Sequence, residues 1–190
     1  KIKEAQMFFN EELVIAHRVD LPIPGNDYNF MTVFPQSRTE AILVIAEVAK
    51  IQLETGASLT KLESSPTSVK VCIEKDGHQD TDNFDYVLGA DGAKSACRKL
   101  LGIPYLGDTF KPEMYLSDFE LHNPPKEHHV ETHLWADKAL AMIPVTKDTI
   151  RLISNVQDYV SLVPKHLQLG KELWKSSFRV NHRTAQTFQK

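Results

Sequence analysis

The stretch Asp85-Tyr86-Val87-Leu88-Gly89-Ala90-Asp91-Gly92-Ala93-Lys94-Ser95-Ala96-Cys97-Arg98 concentrates residue types suited to holding a nucleotide. Glycine at 89 and 92 lets main chain pass close to a bulky ligand. Asp91 offers a carboxylate to sugar hydroxyls, and a helix beginning near Ser95 turns free amides toward phosphate. A dinucleotide is the ligand that such chemistry suits. Asp-Gly alone also marks an ordinary bend between a strand and a helix, and on this motif by itself the plainer reading stays open.

A second place is Gln36, in Phe34-Pro35-Gln36-Ser37-Arg38-Thr39-Glu40. An amide at the mouth of a helix can join that helix's free amides in holding an anion. A surface glutamine before a well-capped helix is the alternative. His129, Glu131 and His133 share one face of a strand, with His128 beside them, which is a possible metal geometry. No second ligand cluster accompanies them and a partly exposed strand face explains them, so no metal is assigned. Cys72 and Cys97 lack metal-ligand spacing and a visible partner histidine, and no Gly-x-Ser-x-Gly occurs.

The elements that must position these residues follow from pattern. Residues 3–9 and 13–19 read as two strands around Asn10-Glu11-Glu12, a hairpin with no obvious sheet of its own, and the Pro- and Gly-rich residues 21–27 as a loop. Ile42, Ile45, Ala46, Ala49 and Leu53 recur at helical spacing opposite Glu40, Glu47, Lys50 and Glu54. Ser37 and Glu40 form a capping box at its start and Gly56 ends it. Residues 57–62, 69–74 and 78–84 make an antiparallel meander. Residues 85–90 then give a short strand of the buried type, followed by a helix over 95–101 closed by Gly102. After Ile103-Pro104 come strands at 115–121, 129–135, 139–145 and 149–154, whose short connections favour antiparallel pairing. Residues 164–178 read as a helix touching the core through Leu167, Leu173 and Trp174. The fold class expected is α+β, an α/β-like portion followed by a mainly antiparallel sheet. The expected domains are 1–33, a hairpin and loop of that sheet; 34–104, the nucleotide-binding part; and 105–190, the sheet and its following helix.

With 190 residues, 42% hydrophobic and 25% charged, the chain can bury one good core or two small ones. The formal charge of −3 is scattered, without a basic stripe for nucleic acid. No apolar run reaches membrane-spanning length, so a soluble, cytoplasmic protein with small-molecule partners is expected. A homo-oligomer stays open.

The Asp91-Gly92 motif, with Arg98 and the exit Gly102-Ile103-Pro104-Tyr105, resembles that of the flavoprotein aromatic hydroxylases, which include phenol, hydroxybenzoate and polyprenyl-methoxyphenol hydroxylases. The resemblance implies that Asp91, Gly92 and Arg98 lie near the pyrophosphate and sugar of FAD, in a motif also implicated in handling NAD(P)H. It implies that Gln36 contacts the flavin cofactor. The run Ala139-Leu140-Ala141-Met142-Ile143-Pro144-Val145 through Arg151 is similar to the strands that roof the flavin ring and substrate in that family. Arg151 is therefore a candidate cation for a reduced ring or a phenolate; an edge-strand arginine in water is its alternative. His133 and Trp135 would border the substrate pocket.

By the same resemblance the activity is hydroxylation of an aromatic or quinone-like substrate with FAD, NAD(P)H and oxygen. The family's opening Gly-x-Gly-x-x-Gly turn and its late Gly-Asp motif have no counterpart, and Gly107-Asp108 stands in the wrong place for the latter. The chain thus reads as an internal piece of such an enzyme, inactive by itself. A reductase or halogenase on the same scaffold, or a non-catalytic binding module, are the rival readings.

Overall fold

The computed structural model describes residues 2–20, 24–25, 27–28, 31–47, 52–127 and 129–189. Residues 21–23 and 26 of the expected loop, 48–51 of the expected helix and His128 lie outside the described residues. In chain order the elements are β1 (Glu4–Phe9), β2 (Glu12–Arg18), α1 (Gln36–Glu47), β3 (Ala57–Ser64), β4 (Val69–Lys75), β5 (His78–Phe84), α2 (Ala96–Leu100), β6 (Tyr105–Leu121), β7 (Val130–Leu134), β8 (Ala139–Pro144), β9 (Thr149–Ser154), a single 3-10 turn (Val160–Leu162) and β10 (Leu169–Ala185). The mixed α+β class is the one expected. No described helix is long and apolar enough to cross a membrane.

Two compact units are present, residues 1–46 with 111–180 and residues 47–110 with 181–190. The chain therefore changes unit three times, at 46/47, 110/111 and 180/181, where two boundaries were expected; α1 as far as Ala46 goes with the first unit and the last ten residues with the second.

In the first unit the strands lie in the order β10-β6-β9-β8-β7-β1-β2. The opening hairpin does have a sheet: β1 pairs in parallel with β7, Ala5 opposite Val130 and Phe8 opposite His133. The pairs β1–β2, β7–β8 and β8–β9 are antiparallel, as their short connections dictate, and β6 pairs antiparallel with β9. Strand alternation then sorts the side chains. Ser117, Phe119 and Leu121 of β6, Leu140 and Met142 of β8, and Ile150, Leu152 and Ser154 of β9 are buried on one face. The segment carrying Tyr159, Leu162, Val163, Leu167 and Leu169 packs over that face. Leu140 and Leu152 are both fully buried, each contributing about 1.5–3 kcal/mol of burial energy.

Residues 164–178 are not a helix: the chain leaves the 3-10 turn and enters β10 beside β6. Leu167, Leu173 and Trp174 are too few to fix a helical face, and the long β6 supplies a pairing edge that outweighs local propensity.

The second unit holds the β3-β4-β5 meander. Asp76 and Gly77, at φ +51° and +78°, turn β4 into β5 as the Asp-Gly pair predicts. Two further expectations need correction. The helix α1 is described as far as Glu47, and beyond residues 48–51, which lie outside the described residues, Gln52 to Glu54 are not helical. Gly56, at φ +72°, therefore leads into β3 and caps no helix. Residues 85–90 are not a strand; Tyr86 and Leu88 are 86% and 93% exposed, because among the described residues no strand pairs with them.

Candidate functional site

The Asp91-Gly92 bend is built from within its own unit. Gly92 takes φ +72°, and a side chain added there would meet nothing within 4 Å. Conformation alone requires this glycine, and the space against it is open. Gly89 is different: a Cβ there would come within 2.8 Å of the Cys97 Cβ, so this glycine lets the chain's own helix approach. The exposed Asp91 carboxylate is bonded to the start of the following helix. It accepts from the Ser95 hydroxyl and from the Cys97 amide, the latter at 3.0 Å, and these bonds hold its pKa down to about 2. The buried Ser95 hydroxyl accepts from the Arg98 amide at 2.9 Å.

These contacts correct the reading of the following helix. Two amides at the start of α2 are already taken by Ser95 and Asp91, which act together as its cap, so they are not free for phosphate. Arg98 latches the same turn: its guanidinium donates to the Ala93 carbonyl at 3.0 Å and lies 4.1 Å from the centre of the Tyr105 ring. Arg183 donates to the Tyr105 carbonyl at 3.3 Å and to the Thr109 hydroxyl at 3.1 Å. A cleft of about 1130 Å³ opens beside the bend, with Asp91, Gly92, Arg98 and Tyr105 on its wall. For an FAD molecule this chain supplies the exposed bend at Gly92 and room beside it. It does not supply an uncapped helix end, and one oxygen of the exposed Asp91 carboxylate is held by the Cys97 amide.

Gln36 lies in the first unit. It is the first residue of α1 rather than the residue before it, and its side-chain amide donates to the Glu40 carboxylate at 2.8 Å. That bond replaces the expected capping box, in which Glu40 was to reach back to Ser37. The amides of Arg38 and Thr39 go instead to the Pro35 carbonyl.

Arg151, His133 and Trp135 do not form one pocket. His133 is paired with Leu140 and buried on the covered face, stacked 4.4 Å from Phe8 and bonded to Glu131 at 3.1 Å. Trp135 packs on the same core. Arg151 stands between the buried Ile150 and Leu152 and so points to the opposite face. Nor is it an edge-strand arginine in water, since β9 lies between β6 and β8. Its guanidinium forms a two-pronged pair with Asp118, directly across on β6, at 2.7 and 2.9 Å. Trp174, from the segment expected to be helical, lies 5.2 Å from that guanidinium. Asp118 was not singled out from the sequence, and Trp174 was read only as a core contact of a helix; the alternation of β6 around Ser117 and Phe119 and its register with β9 put Asp118 on the Arg151 face, and only the strand state of β10 brings Trp174 there.

A family model described as "FAD binding domain" matches residues 3–159. The chain is 25% identical over 193 residues to pentachlorophenol 4-monooxygenase of Sphingobium chlorophenolicum, an alignment covering 88% of this chain and 35% of that protein. Among solved structures, p-nitrophenol 4-monooxygenase of Pseudomonas putida matches all of the chain with a TM-score of 0.83 at 13% identity, over 53% of its own length. The flavin-dependent monooxygenase PieE, solved with FAD and substrate, matches all of it at TM-score 0.77 and 20% identity, over 39% of its length. The chain thus spans about a third to a half of these relatives.

Proposed function

The chain belongs to the FAD binding domain family, the one its motifs resemble, and from that premise we propose that it is the middle part of an FAD-dependent monooxygenase hydroxylating an aromatic or quinone-like ring with NAD(P)H and oxygen. The observation that carries this reading is the two-faced sheet. One face is filled by the chain's own core; the other presents a polar pair on the neighbouring strands β6 and β9, which suits a roof over a ring-shaped substrate. When bound, FAD supplies the redox and oxygen chemistry, and the protein contributes placement and exclusion of water.

In this proposal Gly92 lets main chain lie against the cofactor, while Asp91 and Ser95 hold α2 and act by positioning. Arg98 fixes the turn through Ala93 and Tyr105. Gln36 remains a cofactor contact in the proposal, provided that its amide exchanges Glu40 for the ligand. The Arg151 face takes the substrate; His133 and Trp135, on the covered face, support the sheet from behind.

The test uses the full-length protein that carries this chain. It is expected to purify yellow and to consume NAD(P)H faster when a phenolic compound is added, with one hydroxyl gained by the ring. A colourless full-length protein would overturn the assignment in favour of a binding module. A product that depends on halide would overturn it in favour of halogenation.

A further inference from the structure

We propose that the Asp118–Arg151 pair sets the charge class of the substrate, admitting neutral hydroxylated rings and rejecting carboxylated ones; this rests on the monooxygenase reading above. Arg151 alone would be the natural partner of a carboxylate, because its planar fork matches two oxygens at once. In this chain the fork is already filled. Both prongs of the pair are short, and the Asp118 side chain is only 14% exposed against 37% for Arg151, so the carboxylate is seated in the sheet and the cation reaches outward from it.

A carboxylated ring approaching this face meets a cation whose charge Asp118 already balances, and a second carboxylate beside the first is repelled. A neutral phenol meets the opposite situation. Its hydroxyl can donate to the lone pairs that Asp118 keeps beyond those used by Arg151. Its ring has apolar neighbours on the same face in Ile143, opposite Arg151, and Ile153, two residues along β9. The half-exposed Trp174 indole, already near the guanidinium, offers a surface for the ring to lie against.

The experiment measures kcat/KM for NAD(P)H consumption by the full-length enzyme with matched rings, phenol against 4-hydroxybenzoate and catechol against 3,4-dihydroxybenzoate. Wild-type enzyme is expected to favour the uncarboxylated member of each pair by about tenfold or more. Asp118→Asn keeps the shape of the side chain but releases the fork's charge, and is expected to move both ratios toward the carboxylated member by about tenfold or more. A wild-type preference for the carboxylated rings overturns the proposal without need of any variant. Ratios unchanged in a yellow, folded Asp118→Asn enzyme overturn it as well. If no aromatic compound accelerates NAD(P)H consumption, the monooxygenase reading falls first and this inference with it.

Discussion

Gly107 lies against the carbonyl of His182: a Cβ built on it would collide with that oxygen, and its φ is +108°. The contact joins the beginning of β6 to the end of β10, beside the bonds of Arg183 to Tyr105 and Thr109. Gly107→Ala is therefore expected to cost about 3 kcal/mol or more, through backbone displacement added to strain. Gly102→Ala, at φ +63° with open space around it, should cost only about 1–2 kcal/mol. Urea denaturation of the two variants checks the difference; equal losses would show that the close approach to His182 is not tight.

Tyr159, 1% exposed, places its hydroxyl 2.5 Å from that of Ser117, which is fully buried and in turn donates to the Glu172 carboxylate at 2.7 Å. This chain of bonds ties the covering segment to β6 and β10. Tyr159→Phe keeps the packing and loses the bond, an expected destabilisation of about 1–2 kcal/mol. Tyr159→Ala also empties the space over Leu140 and Met142 and should cost about 3–5 kcal/mol. Thermal unfolding of the two variants ranks them.

The Asp91 carboxylate is lowered from 3.8 to about 2, chiefly by the Ser95 hydroxyl and then by the Cys97 amide, against the opposing effect of desolvation. A lowered folded-state pKa means stability that is complete above the unfolded value and is lost as pH falls through the folded one. The cap on α2 should thus be intact at pH 5 and released between about pH 4 and pH 2. The Cys97 amide proton, followed by NMR, is expected to titrate with a midpoint near 2. A midpoint near 4 would mean that Asp91 faces solvent and does not cap. Asp91→Ala should weaken the helix start by about 1 kcal/mol.

Glu11 turns β1 into β2 at φ +69°, a conformation that a glutamate adopts only under strain. Glu11→Gly is expected to stabilise the protein by about 0.5–1 kcal/mol, read as a rise in the denaturation midpoint. A fall would show that the glutamate side chain repays its backbone cost.

Much of this fold was legible where burial is one-sided. The strands expected at 139–145 and 149–154 are β8 and β9, where Leu140 and Met142, like Ile150 and Leu152, alternate with less buried neighbours. The short turn at Asp76-Gly77 was equally plain. Failure came where pairing, not burial, decides the structure. β10 is exposed along nearly all its length and carries no alternation to read, so Leu167, Leu173 and Trp174 suggested a helix instead. Residues 85–90 have the composition of a buried strand, but composition cannot supply a neighbouring strand. In the candidate site, the positions of Asp91 and Gly92 were visible as a motif, while the direction of the Asp91 carboxylate depends on Ser95 and Cys97 coming round behind it. The separation of Arg151 from His133 follows from strand register, which a single sequence does not fix.

The parallel junction of β1 with β7 also bears on how the molecule is assembled. Ala5 cannot find Val130 until the whole intervening chain has been made, and such distant closures are slow compared with the local hairpin and meander. Until then Met7 and Phe9 have only β2 beside them. Synthesis halted short of His133 would leave a sticky, half-finished edge, a target for chaperones and proteases.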